Sequence, residues 1–137
     1  MGGILQQTAK SVASLLGAAS SGADPASIRT GFTALNDQLD IAARDAAALP
    51  LEAPARFEAR AARVVGRGCA PLMTALGERR DPSFESAVAR LSATWVGDAY
   101  EAFAAGDLRG MERCFRVAEV FLSFDGDPSK PRPEIPG

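Results

Sequence analysis

Apolar side chains recur every three or four residues along this chain, which is the period of an α-helix with one buried face. The clearest case begins at Asp81-Pro82, where a capping carboxylate precedes a residue whose fixed φ suits the first helical turn. The segment also holds the single Trp and the single Tyr, so we expect it to be the central core helix. Its apolar face consists of Phe84, Val88, Leu91, Trp95, Ala99 and Phe103.

The same period recurs in four other segments, and no segment alternates apolar and polar residues as a strand would. Prolines and glycines separate the segments, and Gly66, Gly68 and Pro71 predict a break or a kink inside the third one. We therefore predict an all-α fold, a single antiparallel bundle of four to five helices, with helices 2 and 4 forming the core and helix 5 packed across them. The predicted helices span approximately residues 3–20, 25–48, 54–76 with a break near 66–71, 82–104 and 107–124.

The chain divides into one folded domain and a short terminal segment. Residues 1–124 carry the helical pattern and are numerous enough to bury a core without disulfides or metals. Residues 125–137 contain four prolines and two glycines and predict a flexible tail.

The first predicted helix is unusual because Lys10 is the only charged residue before Asp24. An exposed helix normally carries several charges, so this helix is covered either by its own fold or by another subunit. The second alternative predicts a partner-binding or self-association surface. Its apolar residues are Ile4, Leu5, Val12, Leu15 and Leu16.

A row of arginines on the third helix is the second candidate partner surface. Arg56, Arg60, Arg63 and Arg67 are spaced by 4, 3 and 4 residues, which places them within about 60° of one another around the helix. Such a row could dock on an acidic protein surface or bind phosphates. The alternative is a solvated face whose arginines pair with carboxylates of the second helix, for which the candidates are Asp37, Asp40 and Asp45.

Composition narrows the class of protein. Of the 137 residues, 47% are hydrophobic and 23% are charged, as in ordinary globular domains, and thirteen arginines outnumber two lysines. The net charge of −2 argues against nucleic acid as a partner, and no apolar run is long enough to span a membrane. We expect a cytoplasmic protein, although the residues after Lys10 weakly resemble a secretory signal.

The sequence contains no recognisable catalytic site. Histidine is absent, which removes the usual general base and the commonest transition-metal ligand, so we expect neither an enzyme nor a metal or cofactor. Cys69 lies where the helix is predicted to break and could be accessible, whereas Cys114 is expected to fill space in the core. A single disulfide between them is an open alternative to two free thiols.

Residues Val96–Phe121 resemble a tetratricopeptide-type helical hairpin. Val96-Gly97-Asp98-Ala99-Tyr100 matches the first helix of that family, and Gly106-Asp107-Leu108 resembles its turn, but no repeat of about 34 residues is visible. The resemblance implies protein binding. We therefore expect a non-catalytic protein-interaction module that docks or self-associates through the first helix. The alternative is a bundle that binds an apolar small molecule or cofactor in its core, near Met73, Trp95, Phe103 and Met111.

Overall fold

The computed structural model describes residues 3–124, which form a packed helical bundle. The predicted tail, residues 125–137, lies outside the described residues. The helices are α1 (Ile4–Ser20), α2 (Pro25–Ala46), α3 (Pro54–Gly77), α4 (Ser83–Ala104) and α5 (Leu108–Phe121), and a short 3₁₀ helix follows at Leu122–Phe124. The predicted all-α bundle is confirmed, with helix boundaries within two to three residues of those expected.

Aspartates define three of the helix starts. The Asp24 carboxylate accepts a hydrogen bond from the Ala26 amide at 3.3 Å, and the Asp107 carboxylate accepts one from the Gly110 amide at 2.9 Å. Asp81 accepts hydrogen bonds from the amide and the hydroxyl of Ser83, which lowers the pKa of its carboxyl. Each carboxylate satisfies an amide that has no partner within its own helix, so the helix begins at a defined residue.

The third helix is continuous, and the break predicted near residues 66–71 is wrong. Gly66 and Gly68 are buried where α2 and α4 approach α3 closely. A Cβ on Gly66 would lie 2.6 Å from Asn36 Oδ1 and 2.7 Å from a methyl carbon of Leu39, and a Cβ on Gly68 would overlap the Ser92 side chain. These glycines therefore allow close helix packing and do not end the helix.

The central helix is α3, so the prediction that α4 is central is also wrong. Within residues 3–124, α3 packs against α1, α2, α4 and α5, whereas α2 and α4 do not touch. The predicted core of helices 2 and 4 is therefore replaced by two cores on opposite sides of α3. Small buried residues on α3 let its neighbours approach: Ala59, Ala61, Ala62, Gly66, Gly68 and Ala75.

The larger core lies between α3, α4 and α5, and it includes the apolar face predicted for α4. Phe57 is its hub, with ring centroids 5.0 Å from Phe103 and 5.4 Å from Phe115. The smaller core lies between α1, α2 and α3. Its buried residues are Val12, Ile28, Phe32, Cys69 and Met73. Together the two cores fix which helix faces are left exposed.

Candidate functional site

The apolar side of α1 is used inside the chain. Val12 is buried in the smaller core, Leu15 and Leu16 pack against that core, and Leu5 packs against the larger one. Ile4 is half-buried. The exposed residues of α1 are small or polar, so this helix offers no large exposed apolar side chain. Burial within the same fold accounts for the low charge of α1.

The arginine row of α3 pairs with carboxylates of the same chain. The Nε of Arg63 donates to Asp40 Oδ1 at 2.9 Å, and the Nη2 of Arg67 donates to both Asp40 oxygens at 3.1 Å. Arg56 donates to the Leu49 carbonyl at 2.9 Å. Arg63 and Arg67 therefore join α3 to α2 through Asp40, one of the three aspartates predicted as partners.

Arg60 joins α3 to α5. Its guanidinium hydrogen-bonds to Glu112 and Glu119, with Nε 3.0 Å from Glu119 Oε2, and it lies 4.9 Å from the centroid of the Phe115 ring. Burial lowers the pKa of Arg60, but the hydrogen bonds and charges of Glu119 and Glu112 outweigh it and leave the pKa raised. Arg60 is therefore a fixed cation that holds α5 in place and occupies both of its carboxylates.

The opposite face of α5 carries a second arginine row that the sequence analysis missed. Arg109, Arg113 and Arg116 are exposed, and none forms an ion pair or a side-chain hydrogen bond with another residue of 3–124. Val117 and Val120 lie beside them with 48% and 68% of their surfaces exposed. We call these five residues the α5 basic strip. At about 100° per residue, its three arginines and Val120 fall within about 60° of the helix circumference.

A cavity of about 350 Å³ adjoins the α5 basic strip. Its apolar lining comes from Leu51, in the connection before α3, and from Leu108. Its polar lining comes from Glu112 and the three arginines of the strip. Three arginines face one carboxylate in this lining, so the cavity carries a net charge of +2 (three positive minus one negative). The cavity therefore favours an anionic occupant with an apolar portion.

A second cavity, of about 300 Å³, is a groove between α2 and α3. Its floor is apolar and includes Ile28, Phe32 and Met73, while Thr33 and Thr74 are among its polar lining residues. Of the four residues predicted to line a ligand pocket, only Met73 is here. Trp95, Phe103 and Met111 belong to the larger core, so the structure does not bring the four together.

The two cysteines are free thiols in different cores, Cys69 in the smaller and Cys114 against the larger. Burial raises the pKa of Cys69 to about 11. Burial and the charge of Asp98 also raise the pKa of Cys114. Both thiols are therefore weak nucleophiles at neutral pH. In the part of the chain that is described, no group of His, Cys, Asp and Glu could hold a metal ion.

No family model matches this sequence, and no curated protein or solved structure shows significant similarity to it. Residues Val96–Phe121, whose sequence resembles a tetratricopeptide-type hairpin, form the end of α4, a turn and α5. None of the helices between residues 3 and 124 is long and apolar enough to cross a membrane.

Proposed function

We propose that this chain is a non-catalytic protein-interaction module that binds an acidic protein through the α5 basic strip. The proposal depends on one observation. Three exposed arginines without ion-pair partners in the described chain lie beside two exposed valines, in a protein whose total charge is −2. Unpaired guanidiniums and exposed apolar side chains together form a surface that a partner stabilises by supplying carboxylates and apolar contacts.

Docking is assigned to α5 and not to α1, because the apolar residues of α1 pack against other helices of the same chain. The arginine row of α3 is likewise engaged by Asp40, Glu112 and Glu119. An acidic protein is favoured over a nucleic acid because Val117 and Val120 extend the strip with apolar surface, which a phosphate backbone leaves uncovered. Free cysteines support a reducing compartment, so we place the complex in the cytoplasm.

Charge reversal at the centre of the strip tests this function. We expect Arg113→Glu to reduce capture of the partner from a host lysate by about tenfold or more, because like charges at an interface cost several kcal/mol. Bound proteins are measured by quantitative mass spectrometry, and the partner is then titrated in purified form at two salt concentrations. Binding should weaken at the higher salt concentration, because solvent-exposed charge pairs are screened.

Arg90→Glu is the matched control. Arg90 is also exposed on a helix and forms no ion pair with any residue of 3–124, and its reversal changes the net charge by the same amount. The Arg90→Glu variant should still capture the partner, and the Arg113→Glu variant should not. If both variants capture the same proteins as the unmodified chain, the α5 basic strip is not a docking surface.

A second candidate function, the binding of a small apolar molecule, is favoured by the groove between α2 and α3. Its volume of about 300 Å³ is at the lower end of the range for ligand pockets, and its floor is apolar. We expect a bound compound to raise the melting temperature in a screen of small apolar molecules, since it stabilises only the folded state. Ala70→Leu, which fills the groove, should abolish that increase, whereas Ala93→Leu on an exposed part of α4 should preserve it. A screen without any such compound would exclude this candidate.

A further inference from the structure

The exposed side of α2 carries charged residues without a partner in the described chain, and two of them border the groove between α2 and α3. Arg29 and Asp37 are exposed, and neither forms an ion pair or a side-chain hydrogen bond with another residue in the described part of the chain. Both line the groove between α2 and α3. Asp37 is the notable one, because the neighbouring Asp40 binds two arginines of α3 while Asp37 binds none. These two charges are therefore available to another molecule.

The positions of the two charges are symmetric along α2. Arg29 lies four residues before Thr33, and Asp37 lies four residues after it. When two copies of a helix pack antiparallel about a twofold axis at Thr33, Arg29 of each copy lies level with Asp37 of the other. A twofold interface places the same patch on both subunits, so a surface of this kind must complement itself. The face of α2 meets that requirement in charge.

The centre of this face is small. Thr33 is exposed and lets two helices approach closely. Ile41, the exposed apolar residue of α2, has 54% of its surface exposed but lies about 80° around the helix from Thr33, to the side of this face. The register is therefore set by the pairing of the two charges.

We propose that this chain forms a twofold symmetric homodimer in which the exposed faces of α2 pack antiparallel, with Arg29 of each copy paired with Asp37 of the other. The occupant of this face is a second copy of the chain. The proposed interface lies on α2, which does not pack against α5 within residues 3–124. Self-association thus uses a different surface from the proposed binding of an acidic partner, and each proposal can fail without the other.

Sedimentation equilibrium over a range of protein concentrations tests the dimer. The unmodified chain should reach about twice its mass of 14.3 kDa as the concentration rises. Asp37→Arg should weaken association by about tenfold or more, because it places two pairs of like charges face to face. Asp98→Arg, an equal charge change on the exposed surface of α4, should dimerise normally.

The decisive variant is the exchange Arg29→Asp with Asp37→Arg, which restores both pairs with reversed polarity and should recover the dimer. Ile41→Asp, to the side of this face, should leave the dimer intact. Circular dichroism of each variant establishes that the helices are intact. A chain that stays monomeric at every concentration overturns the proposal, and so does a folded exchange variant that associates no better than Asp37→Arg alone.

Discussion

Replacing Phe115 by Ala is expected to lower the free energy of unfolding by about 3–5 kcal/mol, the usual cost of emptying a large aromatic site in a core. Phe115 is 1% exposed and packs against Phe57 with ring centroids 5.4 Å apart. The Arg60 guanidinium also lies over the Phe115 ring, 4.9 Å from its centroid. Since small domains have about 5–15 kcal/mol of stability in total, this single change should remove a large part of it.

Chemical denaturation followed by circular dichroism measures the effect. Val120→Ala is the control on the same helix, and because Val120 is 68% exposed its change should stay within about 0.5 kcal/mol. The loss of unfolding free energy for Phe115→Leu should lie between those of Phe115→Ala and Val120→Ala, because leucine retains most of the buried volume. Equal denaturation midpoints for Phe115→Ala and Val120→Ala would contradict the packing described for the larger core.

The second large effect is expected at Gly68, where Ala should destabilise the fold by about 1–3 kcal/mol. Alanine is the better helix former by about 1 kcal/mol, so propensity alone predicts the opposite sign. The added Cβ would overlap the Ser92 side chain, which is buried and held by a 2.9 Å hydrogen bond to the Val88 carbonyl. Steric overlap between α3 and α4 therefore outweighs helix propensity.

Two comparisons isolate that overlap. Gly97→Ala, on α4 with no atom near the added methyl group, should stabilise the protein by about 0.5–1 kcal/mol. In a chain that also carries Ser92→Gly, Gly68→Ala should no longer lower the free energy of unfolding, because the Oγ and Cβ of Ser92 that the new methyl group would overlap are absent. A double-mutant cycle measures this coupling, and a cycle with no coupling energy would show that α3 and α4 do not meet at Gly68 and Ser92.

Helix identity and helix faces were predictable because each depends on residues close in sequence. The face of α4 from Phe84 to Phe103 was read from spacing alone, and its members pack in the larger core. The helix starts were also local, since an aspartate caps an amide two or three residues away. Which helix lies at the centre of the bundle depends on residues far apart in the sequence. The prediction placed α4 there, whereas the structure has α3. The buried face of α3 consists largely of alanine and glycine and is therefore hard to recognise as a core face from the sequence, whereas the aromatic residues of α4 mark its core face clearly.

The candidate surfaces were harder to predict than the fold. The helical spacing of arginines led to the prediction of the α3 row, from Arg56 to Arg67. Arg109, Arg113 and Arg116 have the same spacing of 4 and 3 residues. The signal for the second row was therefore present in the sequence. Spacing could not show which of the two rows forms ion pairs with carboxylates of the same chain. That depends on Asp40, Glu112 and Glu119 reaching α3 from helices far away in the chain.

The sequence by itself determined an all-α chain of amphipathic helices, because the period of apolar residues and the capping aspartates act over a few residues. Only the tertiary structure decided which of the charges are available to other molecules. A charge is neutralised by whichever opposite charge lies within a few ångströms, and helix packing brings those groups together. Packing engaged the arginines of α3 within the fold, and it left those of α5 and the Arg29–Asp37 face of α2 exposed.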